Sequence, residues 1–249
     1  MANYTITEKF TLPSKGLIYE KPINPEVTLR SMTTMDELRR CSPSERPYSS
    51  MCDLLDDCIV NDIGINAEDL CLADYQFLLH KLRIITYGPE YKMMVRCPFC
   101  GKIEDLVFNL EELELKEYTE EFSKLFELHL PQTNKDIKLK FQTPKMLDDI
   151  VIRKQEILKK NPTALDPTLL LTLQYAIDIV DGKKLNFVQL ENFVQSLPMK
   201  DANLILQRSD KINRELGLDV YITTTCSQCG LDFVSTFRET QEFFRPTND

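Results

Sequence analysis

Apolar residues recur three or four positions apart over much of the chain, which is the period of an amphipathic α-helix. The clearest stretch is 73–87, where one face carries Tyr75, Leu78, Leu79, Leu82 and Ile85. The same criterion predicts further helices over 34–40, 50–59, 146–159, 168–180, 186–198 and 201–216. Of these, 168–180 is almost wholly apolar, so we expect it to be the most buried helix of the second half.

The starts of helices are marked by polar side chains that can satisfy the N–H groups of the first turn. Four starts are predicted on this basis: Thr34 with Glu37, Ser50 with Asp53, Asp166 with Pro167, and Asn186 with Gln189. Glycine or proline just beyond 87, 160 and 216 is typical of helix ends. Local sequence therefore bounds most of the predicted helices.

Alternating apolar and polar residues predict strands elsewhere. Residues 126–130 and 137–141 alternate on either side of a polar turn, which is the pattern of a β-hairpin. Further strands are expected over 91–96, 103–108, 220–225 and 233–237, with a short strand over 27–30 in an otherwise irregular or β stretch. Helices and strands are interspersed, which indicates an α+β protein.

Two copies of Cys-x-x-Cys-Gly lie between paired strands. They are the first knuckle, Cys97 to Gly101, and the second knuckle, Cys226 to Gly230. Two thiolates on one tight turn can bind one side of a tetrahedral ion, and the glycine suits a backbone with positive φ. Two such turns complete the coordination of Zn²⁺ and leave no open position. The pattern therefore predicts a structural zinc site at Cys97, Cys100, Cys226 and Cys229.

The separation of the knuckles is unusual, because about 125 residues lie between them. If both knuckles share one ion, the chain between them is an insertion into a split zinc ribbon. We therefore expect an N-terminal helical layer with short β structure and three helices at 1–90, and the split ribbon at 91–108 and 219–238. An inserted, mostly helical lobe with a β-hairpin follows at 109–218, and a polar tail at 239–249. The binding energy of the ion would then contribute to the folding free energy of the second half.

Two other functions stay open for cysteine pairs of this kind. Cys-x-x-Cys is also the motif of thiol oxidoreductases, although neither pair lies in the βαβ surroundings typical of that class. Zinc ribbons often bind nucleic acid, which requires a basic surface that displaces counterions from phosphates. The net charge of −9 and the lack of a Lys/Arg run disfavour that function. We therefore expect no nucleic-acid partner.

Composition is that of a soluble folded protein, with 43% hydrophobic and 28% charged residues. The first ten residues lack the apolar stretch of a signal peptide, and the longest apolar run, 169–171, is far shorter than a membrane span. We therefore expect reduced cysteines in a cytoplasm rather than disulfides. Four cysteines lie outside the knuckles: Cys41, Cys52, Cys58 and Cys71. The last three lie in or beside helical patterns and are expected to be small buried hydrophobic residues.

No catalytic constellation stands out in the sequence. Of the two histidines, His80 lies among leucines on a predicted helix and His129 alternates within a strand, as structural residues do. No glycine-rich phosphate loop, Gly-x-Ser-x-Gly or His-Glu-x-x-His motif occurs. The acidic stretch 110–121 is typical of a solvated surface, with an acidic docking surface as the alternative. The protein is therefore expected not to be an enzyme.

Two phrases near the N-terminus, FTLPSKGLIY at 10–19 and EVTLRSMTT at 26–34, precede the first knuckle. Together with the CPFCG knuckle, the helical insertion and the return at Cys226 and Cys229, they resemble the T4-type bacteriophage baseplate protein family over most of the chain. The resemblance implies a role in building the central hub of a contractile-tail baseplate in the host cytoplasm, with hub proteins as partners. It fits a chaperone-like assembly factor that leaves before maturation, or a stoichiometric hub subunit that stays in the virion.

Overall fold

The computed structural model describes residues 5–237 and 241–244. Its α-helices are α1 (Thr34–Arg40), α2 (Ser49–Cys58), α3 (Leu72–Tyr87), α4 (Glu120–Ser123), α5 (Pro144–Lys160), α6 (Thr168–Ala176), α7 (Phe187–Ser196) and α8 (Met199–Arg214). Its strands are β1 (Thr7–Thr11), β2 (Glu26–Arg30), β3 (Glu90–Arg96), β4 (Ile103–Asn109), β5 (Leu115–Lys116), β6 (Glu127–Leu130), β7 (Lys135–Leu139), β8 (Ile177–Val180), β9 (Gly217–Leu218), β10 (Tyr221–Thr225) and β11 (Asp232–Thr236). Helices and small antiparallel sheets alternate along the chain, which confirms the α+β class. The predicted tail at 239–249 lies outside the described residues except for 241–244.

The N-terminal part of the chain packs around α3. The strands β1 and β2 pair antiparallel, with Thr7 opposite Arg30. Leu29 from β2, Leu55 from α2 and Leu82 from α3 are fully buried in one cluster. The apolar stripe predicted on α3 is buried along its whole length, which confirms that this helix faces the core.

The first helix has a different cap from the predicted one. Thr33, not Thr34, is the N-cap, and Asp36, not Glu37, completes the capping box. The carboxylate of Asp36 accepts a hydrogen bond from the N–H of Thr33 at 2.7 Å and pairs with the Arg30 guanidinium at 2.6 Å. The ion pair joins α1 to Arg30 of β2. This contact outside the helix favours a capping box that begins at Thr33, one residue before the predicted one.

The start of α2 was also predicted wrongly. The helix begins at Ser49, and Tyr48 precedes it without a side-chain cap, so the box of Ser50 and Asp53 does not form. The N–H of Tyr48 instead donates to the carboxylate of Asp148 on α5, at 2.9 Å. A residue one hundred positions away thus replaces the local cap.

The second half contains one confirmed and one corrected helix start. Asn186 and Gln189 form the predicted capping box of α7. Pro167 occupies the N-cap position of α6 rather than the first helical position, and its side chain makes no cap bond. Asp166 still accepts a hydrogen bond from the N–H of Thr168, at 2.9 Å.

The chain between the two knuckles builds most of a second core around a three-stranded sheet. The strand order is β6-β7-β8, and the β6–β7 hairpin confirms the predicted one, with Leu128 opposite Ile137. Leu130 and Leu139 from the sheet pack with Leu173 from α6 and Ile205 from α8 in the same buried cluster. The sheet and the helices therefore share one hydrophobic interior in this part of the chain.

The predicted helix over 168–180 is wrong at its C-terminal end. The helix α6 ends at Ala176, and Ile177–Val180 forms β8, antiparallel to β7 with Ile137 opposite Val180. Two β-branched isoleucines and a valine stand in these four positions, and they fit a half-buried strand. Pairing with β7 buries Ile177 and Val180, so the tertiary partner decides between helix and strand.

The N-terminal phrase of residues 10–19 continues from the end of β1 into a loop that is buried at 12–14 and 16 and is bonded to α3. The carboxylate of Asp74 accepts hydrogen bonds from the N–H of Ser14 at 3.0 Å and from the hydroxyl of Tyr19 at 2.6 Å. Gly16 has a φ of +70°, and a Cβ there would lie 2.5 Å from the carbonyl oxygen of Ile23. The phrase is therefore constrained by packing.

A buried arginine joins the C-terminal segment to the end of α3. Arg83 is fully buried, and its guanidinium donates to the backbone carbonyls of Phe243 at 2.9 Å, Gly88 at 2.7 Å and Glu90 at 3.3 Å. Desolvation lowers the pKa of this guanidinium. Phe243 and Phe244 are fully buried beside it and belong to the first core.

Candidate metal centre

Each knuckle connects the two strands of an antiparallel hairpin. The strands β3 and β4 pair up to Arg96 opposite Ile103, directly before and after the first knuckle. The strands β10 and β11 pair up to Thr225 opposite Asp232, around the second knuckle. The predicted strands on either side of each knuckle are therefore confirmed.

The two knuckles have the same turn geometry. The N–H of Gly101 donates to the carbonyl of Cys97 at 3.0 Å, and the N–H of Gly230 donates to the carbonyl of Cys226 at 2.9 Å. Both glycines have left-handed backbones, with φ of 76° and 70°. The N–H of each first cysteine also donates across the end of its hairpin, at 2.8 and 3.0 Å. This turn points both thiols of a knuckle to one side.

The structure brings the four sulfurs together from both knuckles. The Sγ atoms of Cys97 and Cys229 are 3.8 Å apart, and those of Cys100 and Cys226 are 3.5 Å apart. All four ligand atoms lie within 4.8 Å of one another. Tetrahedral zinc with Zn–S bonds of about 2.3 Å places its sulfurs about 3.8 Å apart. The group therefore has the size and the donor set to hold a metal ion.

None of these distances is that of a disulfide, whose S–S bond is about 2.05 Å long. All eight cysteines of the chain are in the thiol form. Cys52, Cys58 and Cys71 are buried, as expected, whereas Cys41 is exposed. Burial raises the pKa of the Cys52 thiol well above its usual range, which keeps it protonated and unreactive.

The knuckle cysteines divide into a buried and an exposed pair. Cys97 and Cys226, the first of each knuckle, are buried, whereas Cys100 and Cys229 are exposed. The buried pair packs with Val95 and a phenylalanine of β11 in a small cluster beneath the site. One side of the site is thus shielded and the other faces solvent.

Glu104 on β4 joins the first hairpin to the second knuckle. Its carboxylate accepts hydrogen bonds from the N–H of Ser227 at 3.0 Å and from the hydroxyl of Ser227 at 2.9 Å. It also lies 3.4 Å from the Sγ of Cys226. These bonds from Ser227 lower the pKa of Glu104. A carboxylate that orients the residue beside a ligand is typical of the outer shell of metal sites.

The acidities of the thiols reflect their hydrogen bonds. Burial alone raises the pKa of Cys97, but the N–H groups of Cys100 and Phe99 outweigh it, so that this pKa falls to about 7. At Cys226 the N–H of Cys229 lowers the pKa, yet burial and neighbouring thiols raise it to about 12. Thiols this close do not all release their protons unless a cation balances the charge.

The two histidines lie away from the cysteine group. His80 is buried, its Nδ1 lies 2.8 Å from the carbonyl of Gln76, and burial lowers its pKa to about 4. His129 is exposed, and its Nδ1 lies 2.7 Å from the carboxylate of Asp136. Within the described part of the chain, only the four knuckle cysteines form a group that can hold a metal ion.

Glu104 is the residue of the site that sequence reasoning missed. Its partner, Ser227, lies 123 positions away, and no local pattern joins them. The available signal was its place in a strand next to a knuckle, where it is one of several carboxylates. The cysteines were found because the Cys-x-x-Cys-Gly spacing is local in the sequence and determines the turn that holds both thiols.

A family model for the T4 bacteriophage base plate protein matches residues 1–245. The match covers nearly the whole chain, so the protein belongs to this family. No curated protein and no solved structure matches the chain. Among the described residues, no helix has both the length and the apolar character needed to cross a bilayer.

Proposed function

We propose that the chain is a non-enzymatic, chaperone-like assembly factor for the baseplate hub of a contractile-tailed bacteriophage, acting by protein–protein contacts. Membership of the baseplate family supports the baseplate part of this proposal. In size and organisation the chain resembles the hub assembly protein of T4-type phages, which is described as a catalyst of assembly. Hub proteins are then its partners, and the host cytoplasm is where it acts.

We propose further that the four cysteines bind a structural Zn²⁺ ion. The ligands would be Cys97, Cys100, Cys226 and Cys229, whose sulfurs all lie within 4.8 Å of one another, with two pairs at 3.8 and 3.5 Å. Four thiolates fill the coordination shell, so the ion stabilises the fold and leaves no position for a substrate. The split zinc ribbon is the architecture that such an ion would complete.

The proposed zinc site would itself fit a role without bond-making chemistry. The thiols that complete a closed site are not available as nucleophiles. Assembly by contact rather than by reaction would be consistent with such a site.

A stoichiometric structural subunit of the hub is the second candidate, because family membership fits it equally. The deciding experiment is quantitative mass spectrometry of the tagged chain in baseplate intermediates and in purified virions. A departing assembly factor is expected in intermediates and absent from virions. A fixed copy number per virion would establish the structural subunit instead.

The metal proposal has a separate test on the purified protein. Elemental analysis is expected to find about one zinc per chain, and a thiol reagent is expected to modify Cys41 rapidly while the knuckle thiols react only after chelation. Protein that contains no metal as purified, before any chelation, and whose knuckle thiols react at once would reject the zinc site. Turnover of a dithiol substrate would support the oxidoreductase alternative.

A further inference from the structure

Each knuckle cysteine lies next to a cysteine of the other knuckle. The Sγ atom of Cys97 is 3.8 Å from that of Cys229, and the Sγ atom of Cys100 is 3.5 Å from that of Cys226. Both contacts have the geometry of a weak S–H···S hydrogen bond, in which either sulfur can be the donor. We call these two contacts the cross pairs. They join cysteines that are 132 and 126 positions apart in the sequence.

Each cross pair combines an exposed thiol with a buried one. Cys100 and Cys229 are exposed, whereas Cys97 and Cys226 are each only 1% exposed. A dissolved oxidant therefore reaches the exposed thiol of a pair first. The buried thiol of the same pair is then already in position to react with the oxidised sulfur. An accessible thiol beside a second, resolving thiol is the arrangement found at cysteines that form disulfides reversibly.

Two contacts that involve no cysteine hold the hairpins together. The carboxylate of Glu104 on β4 accepts hydrogen bonds from the N–H and the hydroxyl of Ser227 in the second knuckle. At the other end of the hairpins, the ring of Phe237 packs edge-on against Tyr91 of β3, with ring centroids 5.2 Å apart. Even if the hairpins open more often without an ion, these contacts return the same thiols to each other when the hairpins close.

We propose that the four knuckle cysteines have a second, oxidised state, in which the disulfides Cys97–Cys229 and Cys100–Cys226 replace the metal ion as the link between the hairpins. This proposal rests on the proposed zinc site, because a closed shell of four thiolates protects the sulfurs until the ion is removed. The oxidant is a peroxide. The same four side chains then join the hairpins through the ion in reducing surroundings and through disulfides in oxidising ones.

The reaction of each cross pair balances with one hydrogen peroxide. The exposed sulfur attacks one oxygen of the peroxide, the O–O bond breaks, and the products are a sulfenic acid and one water. The buried sulfur then attacks the sulfenic sulfur, the S–O bond breaks, and the oxygen leaves as a second water. Two thiols are thereby oxidised to one disulfide while one peroxide is reduced to two waters. Both cross pairs together consume two peroxides.

Disulfides between the knuckles and disulfides within them have different consequences. In the chain-entropy model, a disulfide constrains the unfolded chain more as the closed loop becomes longer. The cross pairs close loops that span 132 and 126 positions, whereas a bond within one Cys-x-x-Cys closes only its own turn. Only bonds between the knuckles keep the two hairpins joined after the ion is lost.

The test maps disulfides in the full chain with Cys41→Ser, which removes the exposed thiol outside the site. Peroxide is added to the protein as purified and to protein stripped of metal by a chelator. Trypsin leaves both cysteines of the first knuckle in peptide 97–102 and both of the second in peptide 215–238. A bond between the knuckles therefore links the two peptides. We expect linked peptides to predominate in the stripped sample and to be about tenfold scarcer while metal is bound.

Unlinked peptides that have each lost their thiol hydrogens would overturn the proposal, because they show bonds within the knuckles. Matched double variants, stripped of metal, assign the pairs. Cys97→Ser with Cys229→Ser retains one cross pair, whereas Cys97→Ser with Cys226→Ser retains two cysteines that belong to different cross pairs. We expect the first variant to link its peptides about tenfold faster than the second. Equal rates would contradict the pairing, and the map of the chain with all four cysteines does not depend on either variant.

Two further measurements separate this proposal from the proposed metal site. Elemental analysis before chelation reports zinc in the same sample. A chain that carries zinc but forms bonds only within its knuckles refutes the oxidised state alone, whereas a chain without zinc refutes the metal site and the protection by the ion. Hydrogen exchange of 90–109 and 221–236 in the stripped, oxidised chain should match that of the zinc-loaded chain and rise when a dithiol reductant is added. Linked peptides without this protection would also overturn the proposal.

Discussion

The hairpins that carry the knuckles and the two larger cores have very different interiors. Beneath the cysteines, the buried hydrophobic cluster consists of Val95, Cys97, Cys226 and Phe233. The first core instead draws on β2, α2, α3, Phe243 and Phe244, and the second on the β6-β7-β8 sheet with α6 and α8. The knuckle ends of the hairpins bury little and two-stranded hairpins are marginal in water by themselves, although Tyr91 of β3 is part of the first core. The comparison shows where a bound ion would add most to stability and where burial suffices.

The same contrast explains why the cysteines lie where they do. A large core gains stability from many apolar contacts, so a single change removes a small part of it. The knuckle ends of the hairpins have few such contacts, so an ion bound by the four sulfurs would contribute a larger share of their stability. Variants near the cysteines should therefore lose metal, whereas variants in the two larger cores should lose unfolding free energy and keep any metal.

The largest effect is expected from Cys226→Ser, which removes one of the four thiolates. Structural zinc contributes on the order of 10 kcal/mol to zinc-finger peptides, so loss of the ion should open both hairpins. The larger cores do not contain the site, so helical circular dichroism should largely persist. Elemental analysis and hydrogen exchange of 90–109 and 221–236 measure the two outcomes. The control, Cys41→Ser, changes an exposed thiol outside the site and should keep metal and melting temperature.

The next largest effect is expected from Leu82→Ala in α3, which truncates a fully buried side chain of the first core. A cavity of this kind costs about 2–5 kcal/mol of unfolding free energy. Metal content should stay at the wild-type level, because Leu82 lies in the first core and not in the cluster around the cysteines. Denaturant unfolding is the measurement. Leu38→Ala, at a site 61% exposed, should change stability by about 0.5 kcal/mol or less, and metal loss in the core variant would contradict the separation of the two regions.

Asp36→Asn should have a smaller effect that depends on pH. The hydrogen bond from Arg30 lowers the pKa of Asp36 from 3.8 to about 2, so the folded state favours the carboxylate. Its contribution is therefore present above about pH 4 and is lost as pH falls towards 2. We expect a loss of about 1–2 kcal/mol at neutral pH and a flatter stability profile between pH 4 and 2.

The control for the Asp36 experiment is Asp57→Asn, in the exposed ion pair with Arg39. Exposed pairs contribute little, so this variant should lose about 0.5 kcal/mol or less. Unfolding followed by circular dichroism at several pH values compares the two. A pH profile for Asp36→Asn that matches the wild type would show that the cap and its ion pair carry no stability.

The smallest effect is expected from Glu104→Gln, which keeps all four thiols but removes the charge of the bridging carboxylate. Changes to residues that orient metal ligands typically cost about tenfold or more in metal affinity. Competition with a chromogenic chelator measures that affinity. The control Glu111→Gln changes an exposed carboxylate of the acidic stretch 110–121 and should leave the metal affinity unaltered. Equal metal affinity in both variants would mean that Glu104 does not contribute to metal binding.

Local sequence was enough where the structural element is local. The stripe on α3, the capping box of Asn186 and the two knuckles depend on residues a few positions apart, and all were found. The cap of α1 and the start of α2 were not, because ion pairing with Arg30 and a hydrogen bond from Tyr48 to Asp148 decide them. The strand β8 was missed because its residues suit helix or strand until β7 is beside them.

The carboxylate bridge and the short β5–β9 pair were missed for the same reason. Lys116 of β5 lies opposite Gly217 of β9, a pairing between segments too short to carry a periodic signal. Gly217 was predicted only as a helix end, yet a Cβ there would lie 2.9 Å from that of Ala73. Long-range contacts of this kind become visible only when the chain is folded.

The tie between Arg83 and the carbonyl of Phe243 has a consequence for how this chain can vary. A backbone oxygen is supplied by any amino acid, so no particular side chain at the acceptor position is needed for the bond itself. What the bond does require is the length of chain that brings residue 243 back to α3. Insertions or deletions between 237 and 243 should therefore lower stability more than most replacements there. They would leave the buried guanidinium of Arg83 without one of its hydrogen-bond acceptors.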